Sequence, residues 1–379
     1  MKEKIGVITF HGAYNYGSFL QAYALQYYIK NHFNRECEII NYRKQEQKEF
    51  YNVYKKNNSL RNIIKNLCVI KYDKKLNRRN EIFENMIKNE LSISKKCESI
   101  NELKEIESNY TQLICGSDQI WNSNILDFDE AYLLSFSNNT NKISYAASMG
   151  GIPYISKEMM QLFKDNLKNF RAVSVREVEA KEVLKKIYTN NIDICVDPTL
   201  LLEKNDYDNL IKEEYLNYEL PKDDYIFFYS ICYNEEMINR VIKFASEVKL
   251  PIYMVFTGSL RIAKCERKHI NVIYDASVSD FLFLVKNASY VFSSSFHGTV
   301  FSIIYEKEFF VINENKDGKF LYDERMKSLL SKIDLTQRMI NDEVSNNSKI
   351  DYNIVKSKLS GIVDNSKEYL QKYVGNDNV

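Results

Sequence analysis

Short apolar runs alternate with longer helical patterns in the amino-terminal half of the chain. KIGVITF is a strand-length run, SFLQAYALQYYIKNH places apolar residues three and four positions apart, and CEIINYR is a second short run. This order predicts a β-α-β unit with parallel strands. Further runs at QLICGSD, KISYAAS, AVSVRE and IDICVDPTLLL continue the pattern, so we predict a first α/β domain that ends near Lys204.

A second alternating series follows. Strands are predicted at YIFFYSICY, PIYMVFTG, INVIYD, SYVFSSS and EFFVIN, with helices such as EEMINRVIKFASEV between them. The pattern predicts two doubly wound, Rossmann-like α/β domains, residues 1–205 and residues 206–379, with closing helices at the carboxyl end. We expect them to face each other across a cleft in a GT-B-like architecture, with the ligand outside the carboxyl ends of both sheets.

Residues 44–110 have a different composition from the rest of the first domain. The stretch is rich in Lys, Asn and Glu and shows weak helical periodicity, as in SLRNIIKNLCVIKYDKKL. We interpret it as a helical excursion, with acceptor binding and a dimer interface as alternative roles. The tail after Asp323 is predicted to be helical, either closing the second domain or packing back on the first.

The overall charge narrows the class of partner. The chain has 52 basic and 51 acidic residues, so no long-range field attracts a nucleic acid or an anionic membrane. We therefore expect a small-molecule substrate and no nucleic acid, with a homo-oligomer left open. No apolar run approaches the ~18 residues of a transmembrane helix, and the first residues lack a signal-peptide core, so a cytoplasmic protein without a transmembrane segment is expected.

The loop FHGAYNYGS joins the first predicted strand to its helix and is the first candidate binding element. Gly12 and Gly17 bracket it, and residues without a Cβ let backbone N–H groups turn toward an anion at the positive end of a helix. We predict that His11, Asn15, Gly17 and Ser18 contact the substrate. In the alternative interpretation the glycines serve only the turn.

The motif CGSDQIWN ends another predicted strand in small and polar residues. It contains Trp121, the single tryptophan of the chain, beside Asp118 and Gln119. We predict that a sugar ring stacks on Trp121 and that Gln119 and Asp118 contact the substrate. The alternative is an ordinary turn in which the indole plugs the domain edge.

Arg176 in SVREVEAKEVL lies at a predicted strand end before a helix. An arginine in that position can hold a carboxylate or phosphate through two parallel hydrogen bonds, so we predict that it binds substrate. A surface ion pair with Glu177 or Glu179 is the alternative.

The stretch YVFSSSFHGTVFSIIYEK runs from a predicted strand into a helix whose first turn contains His297 and Gly298. A histidine beside a phosphate at a helix start can act as an acid or a base near neutral pH. Ser293, Ser294 and Ser295 can cap the helix or bind an anion. We predict that His297 is catalytic and that the serines and Gly298 bind substrate; a purely structural His297 is the alternative.

The sequence lacks the motifs that are typical of several other reaction classes. The chain has no H-E-x-x-H, no clustered His/Cys pattern and no G-x-S-x-G, which disfavours zinc hydrolysis and serine esterase chemistry. The loop FHGAYNYGS matches neither G-x-G-x-x-G nor a Walker loop. We therefore expect no metal site and no bound cofactor.

Six motifs, taken in order, resemble the polysaccharide pyruvyl transferase family. They are ITFHGAYNYGSFLQAYALQ, GSDQIWN, SYAASMG, SVREVEA, VDPTLLL and SSSFHGTVFSIIYEKEFFVI, and the similarity covers about Lys4 to Asn313. The resemblance implies a GT-B-like fold. It also implies transfer of the enolpyruvyl unit of phosphoenolpyruvate onto a sugar of a bacterial surface polysaccharide, such as a capsule or exopolysaccharide, or onto its nucleotide- or lipid-linked precursor.

Residue roles also follow from the resemblance. The essential histidine of the family falls on His297, and its anion-binding arginine falls on Arg176. The chain departs from the family pattern at Ser295 and Phe296, where many members carry a basic residue. The cations that remain available for the phosphate are Arg176, Arg261 and Lys264.

The leading hypothesis is therefore a phosphoenolpyruvate-dependent pyruvyl transferase. His297 is its expected proton donor, and Asp118 is a weaker candidate for the base. Two alternatives stay open: a nucleotide-sugar-dependent glycosyltransferase on the same scaffold, and a catalytically inactive relative that binds a glycan or an anion.

Overall fold

The computed structural model describes residues 4–151, 154–217, 220–231, 233–258, 260–313, 315–316, 319–320, 323–340 and 349–375. The chain folds into two compact units. Unit 1 comprises Met1–Tyr51, Asn85–Leu202 and Leu359–Val379, and unit 2 comprises Asn52–Glu84 and Glu203–Lys358. This division differs from the two continuous ranges predicted from the sequence, because part of the helical excursion joins unit 2 and the carboxyl-terminal helix joins unit 1.

The described strands and helices are numbered in chain order. The strands are β1 Lys4–Ile8, β2 Glu36–Ile39, β3 Gln112–Cys115, β4 Lys142–Ser144, β5 Val173–Val175, β6 Ile192–Ile194, β7 Ile226–Tyr229, β8 Ile252–Val255, β9 Asn271–Ile273, β10 Tyr290–Ser293, β11 Phe309–Ile312, β12 Asn315–Lys316, β13 Lys319–Phe320 and β14 Met339–Ile340. The α-helices are α1 Tyr16–Phe33, α2 Gln45–Tyr51, α3 Leu60–Val69, α4 Asp73–Glu90, α5 Ile100–Ile106, α6 Lys157–Leu167, α7 Val178–Leu184, α8 Lys204–Asp208, α9 Glu235–Val248, α10 Ala263–Glu266, α11 Val278–Asn287, α12 Phe296–Ile304, α13 Glu324–Lys332 and α14 Tyr352–Leu370.

Unit 1 is built on a parallel sheet in the order β2-β1-β3-β4. Parallel bridges between Ile143 and Ala172 and between Ala147 and Val175 continue the sheet toward the parallel pair β5-β6. The central strands β1 and β3 are almost entirely buried, which explains why they are continuous apolar runs. The predicted β-α-β unit at the start of the chain is confirmed.

The carboxyl-terminal part of α14 completes unit 1. Leu370 is fully buried, and the hydroxyl of Tyr369 donates a 2.8 Å hydrogen bond to the carbonyl of Ser144 in β4. The hydroxyl of Ser366 accepts a 2.9 Å bond from the backbone N–H of Val196. The tail therefore divides between the units: α13 and β14 belong to unit 2, and α14 from Leu359 packs back on unit 1, so both arrangements that the sequence left open occur.

Unit 2 contains a six-stranded parallel sheet in the order β14-β11-β10-β7-β8-β9. Residues 52–84 belong to this unit: Val69 and Leu76 are buried in its core, and the ring of Tyr72 stacks on Tyr274 with centroids 4.3 Å apart. A hydrophobic anchor at the end of α3 thus attaches the helical excursion to unit 2.

Strand order reverses once in each sheet. In unit 1 the chain moves outward from β1 to β2 and then returns to place β3 on the other side of β1. In unit 2 it moves outward through β7, β8 and β9 and returns to place β10 beside β7. Such reversals leave a crevice at the carboxyl ends of the two central strands, where parallel α/β sheets bind ligands. These two crevices are where functional side chains should be sought.

Within the described ranges, none of the helices combines the length and the apolar character that crossing a bilayer requires.

The packing of α14 yields a stability prediction. Leu370→Ala should lower the free energy of unfolding by about 2–5 kcal/mol, because it removes a fully buried side chain. Ile354→Ala in the same helix, where the side chain is 54% exposed, should change it by less than about 0.5 kcal/mol. Urea denaturation measures both values, and hydrogen exchange should show lost protection in peptides covering β1 and β3. Unchanged stability of Leu370→Ala would exclude this segment from the unit 1 core.

Candidate functional site

The unit 1 crevice is closed by a polar network, called here the unit 1 cluster and made of Thr9, Ser18, Gln21, Ser117 and Asp118. The hydroxyl of Thr9 donates to the carbonyl of Ser117 at 2.9 Å, and the hydroxyl of Ser18 donates to Asp118 Oδ2 at 2.7 Å. The side-chain amide of Gln21 donates to Thr9 Oγ1 at 3.0 Å. These bonds join the loop after β1 to the loop after β3, as expected if Ser18 and Asp118 share one edge of the sheet.

Arg176 forms a buried ion pair. Its Nη2 lies 2.6 Å from Asp197 Oδ2 and donates to Ser117 Oγ at 2.7 Å. The two charged side chains are only 4% and 0% exposed. The partner is thus neither Glu177 nor Glu179, and the guanidinium is committed to a charge within its own unit. This arrangement holds the loop after β3, and the contact of Arg176 with a substrate stays a prediction.

The start of α1 carries its own cap. Asn15 Oδ1 accepts hydrogen bonds from the backbone N–H groups of Gly17 at 2.9 Å and Ser18 at 3.2 Å. The predicted anion site relied on these N–H groups, and they are already satisfied by the Asn15 side chain. Asn15 thus caps α1, and the substrate contacts of Asn15 and Gly17 stay predictions.

Three further sequence candidates in unit 1 lie largely inside the fold. Trp121 is fully buried and its indole N–H donates to the carbonyl of Tyr132 at 3.0 Å, so no ring face is open for a sugar to stack on. His11 is buried, with Nδ1 3.1 Å from the Thr9 carbonyl oxygen and Nε2 3.1 Å from Asn41 Oδ1. Gln119 Oε1 accepts a 2.8 Å bond from Asn122, at a partly exposed position. The sugar-stacking prediction for Trp121 is not supported, because the ring belongs to the core.

The unit 2 crevice brings together the ends of β7 and β10. The hydroxyls of Ser230 and Ser294 lie 3.1 Å apart across it, and the backbone N–H of Ser294 donates to the Tyr229 carbonyl at 3.1 Å. Ser293 Oγ accepts from the backbone N–H of Ser295 at 3.0 Å. The three predicted serines therefore form the turn that leads into α12 at the point where strand order reverses.

The start of α12 differs from that of α1. Its N-cap residue, Ser295, makes no side-chain hydrogen bond to the helix. His297 lies in the first turn and is 8% exposed. A helix start carries a partial positive charge, which favours an anion. Of the two loops that the sequence singled out, the one before α12 is the better candidate anion site.

An arginine that the sequence analysis did not consider lies beside this turn. The guanidinium carbon of Arg325 is 5.2 Å from the centroid of the Phe296 ring, and Phe296 immediately precedes His297. Arg325 Nε donates to Asp323 Oδ1 at 2.9 Å, and Thr299 Oγ1 donates to Met326 Sδ at 3.4 Å, so α13 packs against α12. Ser230, Ser294, Ser295, His297 and Arg325 are called the unit 2 cluster below.

Arg325 places a cation beside a motif that has no arginine or lysine next to His297. The sequence predicted Arg176, Arg261 or Lys264 for this role, because Ser295 and Phe296 replace basic residues of the family pattern. A second residue missed was Ser230, although a polar residue immediately after an apolar strand was a usable signal. Arg325 gave no such signal, because only the packing of α13 brings it close to Phe296.

Across the part of the chain that the structure describes, no group of three or more His, Cys, Asp or Glu side chains is arranged to hold a metal ion. The polar groups in both crevices are mainly hydroxyls, amides and guanidinium groups, which bind anions and sugar hydroxyls.

The fold is shared with sugar-nucleotide enzymes of the GT-B type. A UDP-GlcNAc 2-epimerase from Neisseria meningitidis, solved with UDP-GlcNAc, aligns with a TM-score of 0.52 at 10% identity, covering 99% of this chain and 100% of that chain. A protein from Listeria monocytogenes described as a UDP-N-acetylglucosamine 2-epimerase aligns with a TM-score of 0.50 at 11% identity, covering 100% and 92%. At such identities the likeness concerns the fold alone, which is two Rossmann-like α/β units.

The sequence identifies a family, whereas the likeness to solved structures concerns only the fold. The model of the polysaccharide pyruvyl transferase family matches residues 15–316, and the chain belongs to this family. The matched range includes Ser18, Asp118, Arg176 and His297 and ends before Arg325. Family membership indicates a transferase. A comparison with curated proteins gives no significant match.

The turn before α12 depends on Gly298, and this yields a prediction. A Cβ at Gly298 would lie 2.2 Å from Ser293 Oγ and 2.7 Å from Tyr229 Cδ1, so the helix would have to move. Gly298→Ala should lower the free energy of unfolding by about 1–3 kcal/mol.

Gly361→Ala in α14 is the matched control, because nothing lies within 4 Å of a Cβ there. It should raise the free energy of unfolding by up to about 1 kcal/mol through helix propensity. Urea denaturation of both variants makes the comparison, and effects of the same sign would refute the close-approach argument.

Proposed function

We propose that the protein is a pyruvyl transferase that moves the enolpyruvyl group of phosphoenolpyruvate onto a sugar of a bacterial surface polysaccharide or its precursor. Family membership over residues 15–316 supports a transferase of this kind. The observation that carries the proposal is the unit 2 cluster, in which His297 lies in the first turn of α12 and the Arg325 guanidinium lies beside the neighbouring Phe296 ring. Phosphoenolpyruvate carries a phosphate and a carboxylate, so both its anionic groups suit a helix start and a guanidinium.

The donor-binding part of the proposal assigns each anionic group. The phosphate binds the first N–H groups of α12 and the hydroxyls of Ser294 and Ser295. Arg325 then contributes positive charge, which favours a phosphate or a carboxylate. Its pairing with Asp323 fixes the guanidinium orientation before the donor arrives.

The chemical steps follow from the structure of phosphoenolpyruvate, which is an enol phosphate. His297 donates a proton to C3, which makes C2 electrophilic, and a sugar hydroxyl attacks C2. The bond between C2 and the phosphate oxygen breaks, and the phosphate leaves with the proton of the attacking hydroxyl. A neighbouring hydroxyl of the sugar then closes the cyclic ketal at C2 and returns a proton to His297. The catalytic role that the sequence suggests for Asp118, in unit 1, stays a prediction. Its carboxylate already accepts hydrogen bonds from Ser18 and from the backbone N–H of Gln119, which fix its orientation.

Arg176 takes a positioning role in this proposal. Its ion pair with Asp197 and its hydrogen bond to Ser117 hold the residue that immediately precedes Asp118. Removing one partner of a buried ion pair leaves an uncompensated charge and costs roughly 3–5 kcal/mol. Substitution of Arg176 should therefore lower the free energy of unfolding, and any effect on donor binding comes second.

Donor binding is tested by thermal unfolding with phosphoenolpyruvate, UDP or UDP-sugars. Phosphoenolpyruvate at ~100 times its dissociation constant should stabilise the native state by roughly 2.7 kcal/mol. Arg325→Ala should abolish this shift. Arg240→Ala should retain it, because it removes a different helical arginine, which pairs with Glu236. A shift with UDP alone would favour the glycosyltransferase alternative, and no shift with either ligand would favour an inactive relative.

The proton-donor role of His297 is tested by turnover. His297→Asn should reduce phosphate release from phosphoenolpyruvate, measured over a panel of nucleotide- and lipid-linked saccharides, by at least ~100-fold. His269→Asn is the control, because His269 is exposed and outside the cluster. A loss below about tenfold, with the melting temperature unchanged, would remove His297 from the mechanism.

A further inference from the structure

Helix α3 exposes an unusual number of apolar side chains. Leu60 is 74% exposed and Leu67 is 63% exposed. The same helix and the residue after it expose Ile63, Ile64 and Ile70 at 41%, 54% and 60%. Single exposed apolar residues are common on protein surfaces, but a contiguous group marks an interaction site.

The positions of these residues form one stripe along the helix. Apart from the adjacent pair Ile63 and Ile64, they are three or four positions apart, so at about 100° per residue all five fall within one third of the helix circumference. Val69, nine positions after Leu60, lies on the opposite side and is buried in the core of unit 2. The helix is therefore attached to the protein by its other face, and the apolar stripe points outward.

The segment that carries this stripe is strongly basic. Residues 52–84 contain nine Lys and Arg and three Asp and Glu, a net charge of +6, whereas the whole chain has +1. Arg61 and Lys65 are exposed and lie beside the stripe on the same helix. Partial burial and, next in size, the charge of Lys65 lower the pKa of Lys55, as expected where cations crowd together.

We propose that α3 is an interfacial helix that docks the protein on an anionic lipid bilayer. The stripe from Leu60 to Ile70 enters the boundary between headgroups and acyl chains, and the basic residues beside it contact lipid phosphates. Lys71 and Arg78 pair with Glu266 and Asp275, and Arg79 is buried, so the cations that flank the stripe at the surface are Arg61 and Lys65. They also argue against a second copy of the chain as the occupant, because the same cations of the two copies would repel each other. This inference goes beyond the proposed function and does not rest on it.

The net charge of the whole chain did not indicate the basic segment at residues 52–84. A net charge of +1 gave no reason to expect an anionic surface, because the positive charge of residues 52–84 is offset elsewhere in the chain. The excursion was predicted to bind an acceptor or to form a dimer interface. Membrane docking is compatible with the first role, since it would bring the enzyme to saccharides that are anchored in the bilayer.

Vesicle sedimentation of the full chain tests the proposal. Wild-type protein should sediment with vesicles of phosphatidylglycerol and phosphatidylcholine, and binding should fall as salt is raised. Ile64→Gln/Leu67→Gln should reduce the partition coefficient at least about tenfold, because two side chains lose their apolar insertion. Leu126→Gln/Ile354→Gln is the matched control, since these side chains are 61% and 54% exposed at other sites.

Three results would overturn the proposal. The first is equal binding to vesicles of phosphatidylcholine alone, which would exclude a role for the basic residues. The second is unchanged binding by the α3 variant at an unchanged melting temperature. The third is a wild-type dimer, by light scattering, that the α3 variant converts to a monomer while neither binds vesicles. No donor or sugar is present in the assay, so its failure is independent of transferase activity.

Discussion

The reversal of strand order in a parallel sheet is the constraint on which this structure depends. Parallel neighbours need long crossover connections, so all strands of a sheet end at the same edge. Where the order reverses, the two central strands send their following helices to opposite faces and leave a crevice between them. Both units of this chain have one such reversal, and the polar residues that follow the central strands are collected there by topology.

The two crevices use their polar residues differently. In unit 1 the groups bond mainly to each other: Thr9 to Ser117, Ser18 to Asp118, and Arg176 to Asp197. A buried guanidinium requires such a partner, because an unpaired charge away from water is very costly. In unit 2 the turn before α12 is made of hydroxyls, and its helix start lacks a side-chain cap. The first arrangement stabilises a loop, and the second leaves hydrogen-bonding capacity for an anion.

The apolar pattern was sufficient to predict the strands, because both central strands of each sheet are continuous hydrophobic runs. It also predicted which residues follow those strands, including Asp118 and His297. Burial at a loop position was not predictable: Trp121 and Arg176 follow strands as a ligand-binding residue would, yet tertiary packing encloses both. Arg325 could not be predicted either, because its proximity to Phe296 depends on how α13 packs against α12. Sequence periodicity describes one element at a time and does not encode that packing.

The position of α14 has a consequence for how the protein is made. Unit 1 receives Ser366, Tyr369 and Leu370 only after the ribosome has synthesised all of unit 2. Roughly 150 residues separate the end of β6 and its following turn from this part of α14, which at ~5–20 residues per second is about 10–30 s of translation. During that interval the nascent first unit presents apolar sheet surface that its final helix will cover. The order of the chain thus delays completion of the unit 1 core until the last residues have been translated.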